Sequence, residues 1–124
     1  MIFGIGTDII EVERMKKALE RNNALKDRLF SAEEQAYCEG NALIYQHYAV
    51  RFAAKESFFK ALGTGYRDGM EFNEITVLNN HMGKPDFVLS GKVAERCAKE
   101  GVTAIHLSVS HVKETAVAFV VMEK

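Results

Sequence analysis

Several things are scarce in this sequence, and each scarcity argues against a class of protein. Among 124 residues there are two cysteines and one proline. Cys38 and Cys97 lie in segments that read as helix, and neither has a CxxC partner. That pattern argues against a disulfide scaffold and a thiolate zinc site, and for two reduced thiols in a cytoplasmic protein. Pro85 stands alone and no Gly- or Ser-rich run divides the chain, so residues 1–124 are expected to form a single domain. No apolar run is long enough to span a bilayer. Met1-Ile2-Phe3-Gly4 carries no basic segment or cleavage site, so neither a signal peptide nor a membrane is expected. Charge of one sign is missing too. Lys and Arg number 16 against 17 Asp and Glu, and a net charge of −1 predicts no nucleic-acid partner.

What is present is ordinary globular composition, 48% hydrophobic and 27% charged. A chain of this mass buries roughly two-thirds of its unfolded surface, enough for a core without disulfides. The charge is locally uneven. Arg14, Lys16, Lys17, Arg21, Lys26 and Arg28 face only Glu20 and Asp27 within the same stretch. That basic patch suits an acidic partner.

Residues 2–10 read as an isoleucine-rich strand, with Gly4, Gly6, Asp8 and Ile10 on one face. Glycine inside a strand marks close approach by another element. Residues 12–22 read as an amphipathic helix, with Val12, Met15 and Leu19 inward and Arg14, Lys17 and Arg21 on another face. Ser31 and Glu34 form a capping box for a short helix ending near Gly40. Residues 43–62 carry a long helical pattern stopped by Gly63-Thr64-Gly65. Strands are expected over 72–78 and 87–89. Ser90 is placed to cap a helix over 91–100, and a hairpin follows over 103–110 and 115–122. This order predicts an α+β fold, an antiparallel β-sheet with a long central helix and shorter helices.

Two carboxylates stand out. Asp8 sits in an apolar strand, where an ionised group is costly unless paired, metal-bound or at a wetted strand end. Glu56 falls within the apolar stripe between Phe52 and Phe59, and a surface pair with Lys60 is its plainer reading. Together they offer two hard oxygen ligands from different elements. Magnesium is commonly held by one or two carboxylates plus substrate phosphates. Arg51, Lys55 and Lys60 on the same helix, and free N–H groups at Gly63–Gly65, would complement phosphate charge. There is no Walker A spacing and no GxGxxG run.

Three blocks then become recognisable: Gly4-Ile-Gly-Thr-Asp8-Ile-Ile-Glu-Val-Glu-Arg14, Arg51-Phe-Ala-Ala-Lys-Glu56-Ser-Phe-Phe-Lys60-Ala-Leu-Gly-Thr-Gly65, and Ser108-Val-Ser-His111. In this order, over essentially the whole chain, they resemble the signature of the holo-[acyl-carrier-protein] synthases, the short-chain 4′-phosphopantetheinyl transferases. Gly83-Lys84-Pro85 and Leu89-Ser90-Gly91 resemble the family pattern as well. The resemblance implies transfer of the 4′-phosphopantetheine arm of coenzyme A to a serine of apo-acyl carrier protein, releasing adenosine 3′,5′-bisphosphate, in fatty acid biosynthesis. It implies Mg2+ on Asp8 and Glu56 and a homotrimer with sites between subunits. Lys60 would neutralise phosphate or deprotonate the serine, with Glu56 or a metal-bound water as competing bases. Arg51, Gly63, Thr64, Gly65, Lys84, Pro85 and His111 would hold coenzyme A, with His111 supplied by the same or a neighbouring subunit. Arg14, Lys17 and Arg21 would dock the acidic carrier. Two rival activities use the same residues: a coenzyme A pyrophosphatase that needs no carrier, and a non-enzymatic module that binds coenzyme A or the carrier.

Overall fold

The computed structural model describes all 124 residues. Strand β1 (Ile2–Glu11) leads into helices α1 (Val12–Arg21), α2 (Asn23–Leu29), α3 (Ala32–Glu39) and the long α4 (Ile44–Leu62). A 3-10 turn (Phe72–Glu74) then opens the hairpin β2 (Ile75–Asn79) and β3 (Pro85–Leu89). Helix α5 (Gly91–Glu100) and the hairpin β4 (Ala104–His111) and β5 (Thr115–Glu123) complete the chain. The strands form two antiparallel sheets, β1-β5-β4 and β2-β3. The expected α+β class is what the structure has.

Alternation along the strands gives the larger sheet two unlike faces. Its inner rows run Gly4–Met122–Ile105, Gly6–Val120–Leu107, Asp8–Ala118–Val109 and Ile10–Ala116–His111. Helix α4 packs on this face. A Cβ on Gly4 would collide with the Ala61 carbonyl, and one on Gly6 with the Ser57 carbonyl. The two glycines therefore let the α4 backbone lie against β1, the close approach their position predicts. The Ser57 hydroxyl donates to the Ala118 carbonyl at 3.2 Å and pins the crossing point.

The helix is buried on more sides than its apolar stripe predicts. Val50, Ala54 and Phe58 are covered, and so are Arg51, Lys55 and Ser57. The cause is the β2-β3 sheet and the α2–α3 segment, which cover the flanks that β1 and β5 leave free.

Three local expectations are corrected. Seven residues after Asn22 form α2, where no helix was read; the Asn22 side chain caps it by accepting from the Ala24 N–H at 3.0 Å. Residues 72–74 are a 3-10 turn rather than the start of a strand. Ser90 makes no side-chain capping bond; the Glu74 carboxylate reaches over from that turn and accepts from the Lys92 N–H at 3.0 Å.

Candidate active site

Asp8 lies on the inner face of β1, one alternation step beyond Gly6, where α4 passes closest. The Lys60 ammonium donates to the Asp8 carboxylate at 3.2 Å and to the Thr7 carbonyl at 2.9 Å. The Glu56–Lys60 surface pair is thus replaced by a bridge between elements, α4 to β1. Glu56, one helical turn before Lys60, accepts no hydrogen bond from the chain. Partial burial pushes its carboxyl above the usual carboxylate range, and the Asp8 charge pushes the same way; Lys60 opposes both. Two carboxylates that repel each other are the arrangement a hard cation relieves. No His, Cys, Asp or Glu joins them to make a group of three. A Mg2+ ion here would take its other oxygens from phosphate and water.

A cavity of about 310 Å³ opens beside Glu56, walled by Ile10, Met15, Leu29, Phe52 and Phe72 and rimmed by Arg14. Arg14 belongs to α1, whose exposed side carries Lys17 and Arg21. The basic helix face therefore borders the cavity beside Glu56. At the far end of α4, Gly63 takes the left-handed conformation (φ 83°) and its N–H caps the helix on Phe59. Gly65 is also left-handed (φ 65°), and Thr64 donates to its carbonyl. This loop begins three residues beyond Lys60.

Arg51 is elsewhere. Five positions along an α-helix is ~140° of rotation, so Arg51 and Glu56 leave α4 on different flanks. Arg51 is buried, with its guanidinium 4.3 Å above the Tyr37 ring. It donates to Asn79 Oδ1 at 3.0 Å and to the His47 carbonyl at 3.4 Å, while its Nε is buried without a partner. Asn79 in turn donates to the Gly83 carbonyl, which ties Arg51 to the turn that presents Lys84 and Pro85. The His47 ring stands 6.4 Å from that of His111. Burial holds the His47 pKa below its ordinary value, and the charges of Arg51 and His111 lower it further. Arg51, Lys84, Pro85 and His111 thus form one group and Asp8, Glu56 and Lys60 another, with Gly63–Gly65 following at the end of α4. Sequence reasoning missed Asn79, Tyr37 and His47. Only His47 left a signal, one helical turn before Arg51.

Fold and site together define an α+β protein with paired carboxylates, a flanking ammonium and a second, guanidinium-centred cluster. The family model of the 4′-phosphopantetheinyl transferase superfamily matches residues 4–120. The chain belongs to that superfamily. It is 47% identical to the holo-[acyl-carrier-protein] synthase of Geobacter sp. (strain M21), over all of both chains. The crystal structure of the Neisseria meningitidis holo-[acyl-carrier-protein] synthase superposes with a TM-score of 0.93 at 35% identity, covering 100% of both chains. The Helicobacter pylori holo-[acyl-carrier-protein] synthase in complex with coenzyme A superposes with a TM-score of 0.84 at 28% identity, covering 96% of this chain and 99% of that one. No helix is long and apolar enough to cross a membrane.

Proposed function

We propose that this chain transfers the 4′-phosphopantetheine group of coenzyme A to a serine of apo-acyl carrier protein, serving fatty acid biosynthesis. The observation that carries this reading is the meeting of Asp8, Glu56 and Lys60 at the α4–β1 crossing, beside the basic face of α1. In the reaction the serine oxygen bonds to the β-phosphorus. The bond from that phosphorus to the bridging oxygen breaks, and its electron pair leaves on adenosine 3′,5′-bisphosphate. Asp8 and Glu56 would hold Mg2+, which would neutralise charge on the pyrophosphate. Lys60 neutralises phosphate charge at the same place. The serine proton passes to Lys60, to Glu56 or to water. Arg14, Lys17 and Arg21 dock the acidic carrier, with the cavity beside Glu56 at their edge.

Coenzyme A lies across both groups of residues, and they leave different flanks of α4. We therefore assign the working form to a homotrimer in which the Arg51, Lys84, Pro85 and His111 group of one copy meets the Asp8 and Glu56 group of the next. The outer sheet face supports this: Ile5, Ile9 and Phe119 are 61%, 68% and 50% exposed, on rows of alternating strands. Neighbouring exposed apolar side chains of this kind mark an interaction surface. Two free, buried cysteines suit a reducing compartment, and we place the enzyme in the cytoplasm.

Intact-mass spectrometry of apo-carrier incubated with the protein, coenzyme A and Mg2+ tests the reaction. A gain of one phosphopantetheine arm that disappears with EDTA is expected. Phosphopantetheine released without carrier would make the chain a pyrophosphatase, and no turnover on several carriers would make it a binding module. Mixing inactive Glu56→Gln and Arg51→Ala chains tests the shared site. Recovered activity is expected, and its absence at full trimer exchange would confine each site to one chain.

A further inference from the structure

Lys55 and Glu34 are both 0% exposed. Lys55 has three protons on its ammonium and uses each: it donates to Glu34 Oε1 at 2.6 Å, to the Leu29 carbonyl at 2.6 Å and to the Phe72 carbonyl at 3.1 Å. Glu34 Oε1 also accepts from the Ser31 N–H at 3.0 Å, and Oε2 accepts from the Val77 N–H at 2.9 Å. One ion pair therefore ties α4 to the end of α2, the start of α3, the 3-10 turn and β2. Stability alone does not account for it, since packed apolar residues replace buried ion pairs at no loss in many proteins.

What sets this pair apart is which backbone groups it grips. Leu29 and Phe72 offer their carbonyls to Lys55 and their side chains to the cavity beside Glu56. Glu56 is the next residue along α4 and has no hydrogen bond of its own to aim it. It lines the same cavity as Leu29 and Phe72, and the carbonyls of those two residues are held by Lys55. We propose that Lys55 and Glu34 are positioning residues for Glu56: the buried pair fixes the Leu29 and Phe72 walls, and the walls hold the Glu56 carboxylate toward Asp8. This rests on Glu56 acting in the site as described above. A three-acceptor ammonium permits one arrangement of these segments, where an apolar contact would permit several.

The test uses a double variant, Glu34→Leu with Lys55→Met, which removes both charges and leaves neither unpaired. It is assayed for Tm, for kcat and KM with coenzyme A and carrier, and for Mn2+ binding by electron paramagnetic resonance in the presence of coenzyme A. We expect a folded protein whose kcat falls about tenfold or more, as for a misplaced catalytic group. Its Mn2+ affinity should fall as well, with KM for coenzyme A little changed. A purely structural role would move Tm alone. Glu34→Gln, which keeps the shape and weakens the grip on Lys55, gives the same reading if the double variant fails to fold. Wild-type kcat and Mn2+ affinity per folded molecule in either variant would overturn the proposal. Glu56→Gln runs alongside. If that change is itself silent, the reading of the site fails, not the role of the pair alone.

Discussion

Lys55 and Lys60 stand on one helix and meet opposite conditions. Lys55 is sealed, with every proton committed, and burial brings its pKa down to about 8 against the pull of Glu34. Lys60 is 54% exposed and holds a backbone carbonyl and the 19%-exposed Asp8, with Glu56 beside them unbonded. A charge whose partners are complete can only hold structure in place. A charge cluster left incomplete, with two acids to one base, has capacity for a ligand. On the proposed function, the same helix builds with one lysine and works with the other.

The strongest attack on that contrast removes charge from the open cluster. Glu56→Gln keeps the shape and takes away a carboxylate that burial and Asp8 already disfavour. We expect kcat to fall about a hundredfold or more, with Tm unchanged or slightly raised because like-charge repulsion is relieved. Asp8→Asn should show the same sign. A wild-type kcat in Glu56→Gln would remove that residue from the site.

Exchanging each lysine for methionine sharpens the comparison. Lys55→Met leaves Glu34 charged and buried without a counter-ion, which costs about 3–5 kcal/mol. Lys60→Met, at a half-exposed position, should change stability by about 0.5 kcal/mol or less while lowering kcat. Urea unfolding of the two variants reads this directly. Equal losses would mean that Lys60 is as structural as Lys55.

A smaller effect is expected where the open cluster meets the carrier. Arg14→Glu reverses one charge on the exposed face of α1, at the rim of the Glu56 cavity. KM for the carrier should rise and KM for coenzyme A should hold. The rise should shrink with added salt, since screening weakens the like-charge repulsion that the reversal introduces. A carrier KM unmoved by the reversal would take α1 out of the docking surface.

How far the sequence could be read follows the same division. The order of strands and helices, the glycines of β1 and the pairing of Asp8 with Glu56 were all legible, because each is written in a local period or in the three family-like blocks. Helix α2 was not, since seven residues are too few to show a period. The Glu74 cap on α5 was not either, because the capping group lies far off in sequence. Lys55 read as one more base near Glu56. Its burial depends on residues 29–34 and 72–77 arriving around it, both stretches far from Lys55 in the chain. Arg51 read as part of the same patch as Glu56, and only the rotation of α4 separates them. Local chemistry showed in the sequence; which flank of a helix meets which partner did not.

The smallest effect concerns that second flank. His47 is pressed below its ordinary value of 6.5 by burial first, then by Arg51 and His111. Without ligand, the unfolded chain binds more protons than the folded one in the window just below 6.5, so stability rises with pH there and levels off above. A phosphate arriving at Arg51 reverses the local field. It offsets the guanidinium charge and favours the imidazolium, so the His47 pKa climbs on binding. A proton is then taken up with the ligand, and adenosine 3′,5′-bisphosphate should bind more tightly as pH falls from 7.5 toward 6. NMR titration of the His47 ring with and without the bisphosphate measures the shift. Calorimetry in two buffers of different ionisation enthalpy counts the proton. If the His47 titration is the same in both states while the bisphosphate is bound, then phosphate does not reach Arg51. The sealed flank of α4 would then be structural along its whole length, and the division between a holding lysine and a working one would become a division between two sides of the helix.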